Sequence, residues 1–104
     1  LQVFFFQCDI ANEQAQKEAM EKHFECAQSF DVICCFSTTM WIHLHHNVQG
    51  LERLFGWFEQ MLDAQGRLII EPQPWKCYRN AVRRLRKLGK PLPNAWKDIQ
   101  GVPN

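Results

Sequence analysis

A chain of 104 residues, 46% hydrophobic and 22% charged, suits one small globular domain and excludes a disordered or low-complexity polymer. No apolar run reaches the roughly 18 to 20 residues of a membrane span, and residues 1–6 lack the basic start and small-residue cleavage site of a secretory signal. The formal net charge of +1 hides a division: residues 1–75 carry four basic and ten acidic side chains, residues 76–104 eight basic and one acidic. Such an asymmetry predicts a polyanionic partner for one face.

The chain opens at Leu1 inside an apolar run, which reads as a start within a longer sequence. Val3-Phe4-Phe5-Phe6 is β-branched and aromatic and stops at Cys8-Asp9, predicting a buried strand. Residues 12–27 predict a helix. Asn12 suits the N-cap, Glu13 the first turn, and Ala15, Ala19, Met20, Phe24 and Ala27 recur at helical spacing. Asp31 to Phe36 is a second apolar run of strand length, ended by Ser37-Thr38-Thr39. Residues 49–64 predict an amphipathic helix on Leu51, Leu54, Phe55, Phe58, Met61 and Leu62, with Ala64-Gln65-Gly66 as its stop. Leu68-Ile69-Ile70 predicts a third buried strand, ended by Glu71-Pro72.

Residues 75–88 predict a third helix, with Tyr78, Ala81, Val82, Leu85 and Leu88 inward and Gly89 as the stop. Pro91, Pro93 and Pro103 predict an irregular tail, so the chain divides into residues 1–89 and 90–104. Strands and helices alternate, and the strands are apolar throughout. That predicts an α/β fold whose parallel sheet is covered on both faces. Ligands of such sheets bind outside the carboxyl ends of the strands. Here those ends are Cys8-Asp9-Ile10, Phe36-Ser37-Thr38 and Glu71-Pro72-Gln73-Pro74-Trp75.

These ends hold the candidate chemistry. Asp9 reads either as an acceptor for the amino group of an adenine, with Ile10 packed on the ring, or as a turn residue for the following helix. Phe36 can wall the same pocket. Trp41 can stack and His43 can donate to a phosphate, or both can be core. Pro72 and Pro74 bracket Gln73 and fix its backbone. It reads either as a rigid amide that orients a phosphate or ribose oxygen, or as part of a stiff turn. His43, His45 and His46 match no zinc spacing, so no metal is expected. The helix from Trp75 carries Lys76, Arg79, Arg83, Arg84, Arg86 and Lys87 with no acidic residue before Lys90. This suits salt-sensitive contacts to nucleic-acid phosphates, with Trp75 and Tyr78 available for stacking. The five cysteines are odd in number and show no CxxC spacing. They predict reduced thiols and a cytoplasmic or, alternatively, nuclear protein.

Ser37-x-Thr39-x-Trp41-Ile42-His43-Leu44, followed by Ile70-Glu71-Pro72-Gln73-Pro74-Trp75, resembles the Bin-three (bicoid-interacting) methyltransferase family. The likeness covers roughly Val3 to Gly89. It implies a partial class I (Rossmann-like) methyltransferase fold with S-adenosylmethionine as cofactor and a small RNA bearing a 5′-phosphate as partner. No membrane and a monomer are expected. Residues 75–79 and 83–89, with Met40, resemble the branch acting on the 5′-monophosphate of histidine transfer RNA and microRNA precursors. The alternatives are γ-phosphate capping of a small nuclear RNA and a non-catalytic RNA-binding module.

The resemblance implies cofactor contacts at Asp9, Ile10 and Phe36 and a substrate side at Gln73, His43 and Trp41. The family's first two and last two strands, its Gly-Cys-Asn loop and its ribose-binding acid have no counterpart in these 104 residues. In that fold only the strands at Asp31–Phe36 and Leu68–Ile70 would be neighbours. Residues 45–48 replace a more acidic, glycine-containing loop. The 104 residues alone are expected to be inactive.

Overall fold

The computed structural model describes residues 5–23 and 29–100. The element order is α1 (Glu13–His23), β1 (Phe30–Phe36), α2 (Thr39–Met61), β2 (Leu62–Glu71), α3 (Trp75–Lys87) and α4 (Trp96–Gln100). β1 and β2 are parallel neighbours, joined by α2, and Phe36 pairs with Glu71 at their carboxyl ends. The expected α/β unit and its one predicted strand pairing are therefore present.

Asn12 caps α1 as expected: its Oδ1 accepts the Ala15 N–H at 2.9 Å, the bond an N-cap side chain makes to the third helical residue. The expected continuation of that helix over residues 24–27 lies outside the described residues, as do Val3 and Phe4 of the first expected strand. The described part of that strand is not one. Phe5 and Phe6 carry no regular secondary structure, and Phe5 is 93% exposed. The sheet among the described residues has two strands, β1 and β2, and this segment is not one of them.

Residues 39–48, assigned to no helix by the sequence, form the first half of α2, so this helix begins ten residues earlier than its amphipathic pattern predicts. It kinks at Asn47, whose φ of 62° and ψ of −165° are not helical. The helix ends at Met61, and the expected stop at residues 64–66 falls in the irregular start of β2. There the register slips between Phe30 and Val32. A Cβ on Gly66 would meet the Phe30 carbonyl oxygen at 2.9 Å, so this close approach of two backbones requires glycine.

α3 matches its prediction to within a residue. Leu88 closes it, and Gly89, at φ 67°, makes the left-handed exit. The tail is not wholly irregular: α4 lies within it and buries Trp96 and Ile99.

Two clusters form the interior. One joins Cys35 of β1 to Ile42, Leu54, Trp57, Phe58 and Met61 of α2, with Ile10, Ala11 and Met20 packed on it. The other joins Met40 and Leu44 of α2 to Val82 of α3 and to Ala95, Trp96 and Ile99. The expectation that both sheet faces are covered fails among the described residues. Ile33, Cys35 and Leu68 face the first cluster, whereas Val32, Phe36 and Ile69, on the other face, are 51%, 56% and 47% exposed. The reason is where α3 packs: its buried residues meet α2 and α4 instead of the sheet.

Candidate functional site

The loops leaving the carboxyl ends of β1 and β2 are tied together by two hydrogen bonds. The Ser37 hydroxyl donates to the Glu71 carboxylate. Ser37 has a φ of 53°, a left-handed conformation that costs a non-glycine residue energy and recurs where function constrains a backbone. The Met40 N–H donates to Gln73 Oε1 at 3.2 Å. Met40 lies in the first turn of α2, where backbone donors lack helical partners. Thr38, at the N-cap, makes no side-chain cap; its hydroxyl donates back to the Phe36 carbonyl at 2.8 Å. Gln73 thus caps α2 from the end of the other strand. Its carbonyl is committed to that bond, and its NH2 remains a donor.

His43 follows one turn later. Its Nδ1 lies 2.9 Å from the Tyr78 hydroxyl, with the rings edge to face. Burial lowers the His43 pKa and raises that of Tyr78, so a neutral imidazole meets a neutral phenol. Tyr78 stacks on Trp75 at 5.6 Å between centroids, and Trp75 on Trp96 at 5.3 Å. The aromatic series therefore runs from α2 through α3 to α4.

Trp41 is not part of this group. Two residues along a helix amount to about 200° of rotation, so Trp41 and His43 leave opposite sides of α2. Trp41 is 43% exposed and stacks on His45. Gln73 and His43 are brought to the same end of α2. His45 and His46 are exposed while His43 is turned to Tyr78, and no group of three metal-ligating side chains occurs among the described residues.

Asp9 makes its bonds within its own turn. Its Oδ1 accepts the Ala11 N–H and its carbonyl the Asn12 N–H, both at 3.1 Å. Ile10 packs on the cluster that contains Cys35 and Ile42, and Phe36, next to Cys35, presents an exposed ring. On α3, Lys76, Arg79, Arg83, Arg84, Arg86 and Lys87 are all exposed, while Val82 is buried. The basic residues thus form the solvent side of a helix that begins two residues after Gln73.

The sequence did not reveal the His43–Tyr78 bond, the Ser37–Glu71 bond or the place of Trp96 in the series. The first two join residues 35 and 34 positions apart, and no local pattern encodes such pairings.

Similarity to known proteins bears on this geometry. The family described as Bicoid-interacting protein 3 (Bin3) matches residues 30–104. A Pre-miRNA 5′-monophosphate methyltransferase of Xenopus laevis is 53% identical over 62 residues, 60% of this chain and 23% of that protein. An RNA 5′-monophosphate methyltransferase of Rattus norvegicus is 41% identical over 87 residues, 82% of this chain and 30% of that protein. A 7SK snRNA methylphosphate capping enzyme of Mus musculus is 45% identical over 49 residues, 47% of this chain and 7% of that protein. The chain spans less than a third of the length of these curated relatives. The family match takes in both strands, the Gln73 junction and the basic helix, and the chain belongs to the Bicoid-interacting protein 3 (Bin3) family.

Proposed function

We propose that the whole protein methylates the 5′-monophosphate of a small RNA, and that this chain supplies the phosphate-orienting junction and part of the RNA-binding surface. The observation that carries the reading is the Gln73 cap on Met40. It holds an amide donor beside the first turns of α2, near the neutral His43 and at the start of the basic helix α3. A terminal phosphate needs that combination: fixed donors at its oxygens and cations along the strand behind it. The names of the relatives in Xenopus laevis and Rattus norvegicus support the monophosphate as substrate.

S-adenosylmethionine is the methyl donor on this reading, and when bound it supplies an electrophilic methyl group. Its adenine end is assigned to Asp9, Ile10 and Phe36. Asp9 is exposed and uses Oδ1 in its turn, so Oδ2 can accept from an amino group. Ile10 packs on the cluster under one sheet face, and Phe36 offers an exposed ring on the other, so the two do not wall one pocket among the described residues. The terminal phosphate needs no general base, because its second pKa is about 6 and an oxygen is already anionic at neutral pH. The work left to Gln73 and His43 is alignment and exclusion of water. On α3, Lys76 and Arg79 lie nearest the junction in sequence, and Arg83, Arg84, Arg86 and Lys87 continue along the helix. The free thiols Cys8, Cys34, Cys35 and Cys77 agree with a reducing compartment, and we take the site of action to be the cytoplasm.

Transfer of a labelled methyl group by the whole protein to 5′-monophosphorylated RNA tests the proposal. Equal labelling of hydroxyl-ended RNA would overturn it. The likeness to the capping enzyme favours one rival, methylation of a triphosphate end, and a preference for 5′-triphosphate RNA would select it.

A further inference from the structure

We propose that Tyr78 is a positioning residue that holds His43 as the Nε2–H tautomer, with its ring fixed, so that the imidazole presents one permanent donor to a terminal phosphate oxygen. The inference deepens the proposed function and rests on its reading of His43.

The chemistry follows from one contact. A neutral imidazole has one N–H and one acceptor nitrogen, and the partner of one nitrogen decides the state of the other. The Tyr78 hydroxyl is 2.9 Å from Nδ1. With both groups neutral the contact can be made either way round; the phenol O–H is the stronger acid and the imidazole nitrogen the stronger base, so on this proposal the phenol donates and Nδ1 accepts, which leaves the proton on Nε2. Burial acts on both partners in the same sense, against the imidazolium and against the phenolate.

The phenol is itself held. Its ring lies against Trp75, which lies against Trp96, and Trp96 is 7% exposed. The edge-to-face contact of His43 on Tyr78 restrains the imidazole from the other side. Tyr78 is therefore braced by two rings, and its hydroxyl is the end of the series that meets α2. A residue serving packing alone would need the ring and not the oxygen.

That distinction sets the experiment. Tyr78→Phe keeps the ring and removes the donor. In the whole protein, ¹⁵N spectra of the histidine side chains should show Nδ1 of His43 unprotonated and Nε2 protonated, and Tyr78→Phe should shift the Nδ1 resonance. The same variant should lower kcat/KM for 5′-monophosphorylated RNA on the order of tenfold, the scale of one orienting hydrogen bond. Its affinity for hydroxyl-ended RNA of the same sequence should not change. His43→Gln carries its own amide donor, so Tyr78→Phe should have no further effect in that background.

A protonated Nδ1 in the wild-type spectrum would overturn the proposal, whatever RNA the protein methylates. So would equal losses on phosphorylated and hydroxyl-ended RNA, which mark a structural role, or undiminished loss in the His43→Gln background. Absence of methyl transfer by the wild type would instead overturn the proposed function, with the tautomer still readable.

Discussion

Gln73 shows how one side chain can serve stability and chemistry through different atoms. Its Oε1 caps α2 at Met40, and its Nε2 is the group proposed to meet the phosphate. Gln73→Glu keeps an acceptor for the Met40 N–H and replaces the donor with a negative charge. Thermal unfolding of this variant should stay close to that of the wild type, while methyl transfer to monophosphorylated RNA falls by about 10²-fold. A parallel loss of stability and activity would mean that the cap is all Gln73 contributes. His43 gives a pH prediction. Burial lowers its pKa in the fold, so below the unfolded value the unfolded chain binds more protons. Its contribution to stability is complete above that value and is lost as pH falls toward the folded pKa. Urea midpoints at about pH 7.5 and about pH 5.5 should differ more for the wild type than for His43→Gln.

The elements explain where sequence reading succeeded and where it stopped. The strand at Phe30–Phe36 and the helix at Trp75–Lys87 were legible because each has an unbroken local signal: an apolar run for one, an apolar stripe with a glycine stop for the other. The first half of α2 was not, because its pattern is divided between two cores. Ile42 faces the sheet cluster, whereas Met40 and Leu44 face α3 and α4. The kink at Asn47 redirects backbone bonds. The Val48 N–H turns to Asn47 Oδ1, and the Leu44 carbonyl accepts the Ala95 N–H instead. Asn47 Nδ2 then donates to Asp98 of α4.

Its φ and ψ lie in a region nearly reserved for glycine, so Asn47→Gly should be more stable than Asn47→Ala by about 1 to 2 kcal/mol. That reverses the usual helical order of these residues, and chemical denaturation of the two variants measures it. The exposed face of α3 carries a separate expectation. Replacing Arg83 and Arg84 with Gln should leave the unfolding midpoint nearly unchanged. It should reduce the slope of log K against log salt for single-stranded RNA by about 0.7 for each phosphate that is no longer neutralised.

At the scale of the molecule, α2 is a spine shared by two cores, one taking Ile42 with the helix beyond the kink and the other Met40 and Leu44 before it, and the residues after Gly89 close the second core. Family resemblance in the sequence faded at Gly89, and three prolines spoke for irregular chain. Yet Ala95, Trp96 and Ile99 are among the most buried residues described. The burial comes from pairing with Met40, Leu44 and Val82, which lie too far away in sequence to be read locally. Trp96 therefore connects stability to the site, since it backs Trp75, which backs Tyr78. Trp96→Ala should cost about 3 to 5 kcal/mol, the range for removing a large aromatic side chain from a core. Below its lowered melting temperature, the remaining folded protein should also lose the restraint on Tyr78 and show a broadened His43 Nδ1 resonance. Trp41→Ala provides the contrast. That side chain is 43% exposed and stacks on His45, so its removal should alter stability by no more than about 0.5 kcal/mol and leave the His43 signal sharp. If Trp41→Ala instead matched Trp96→Ala in both measurements, the division of α2 into an inner aromatic series and an outer exposed face would be wrong.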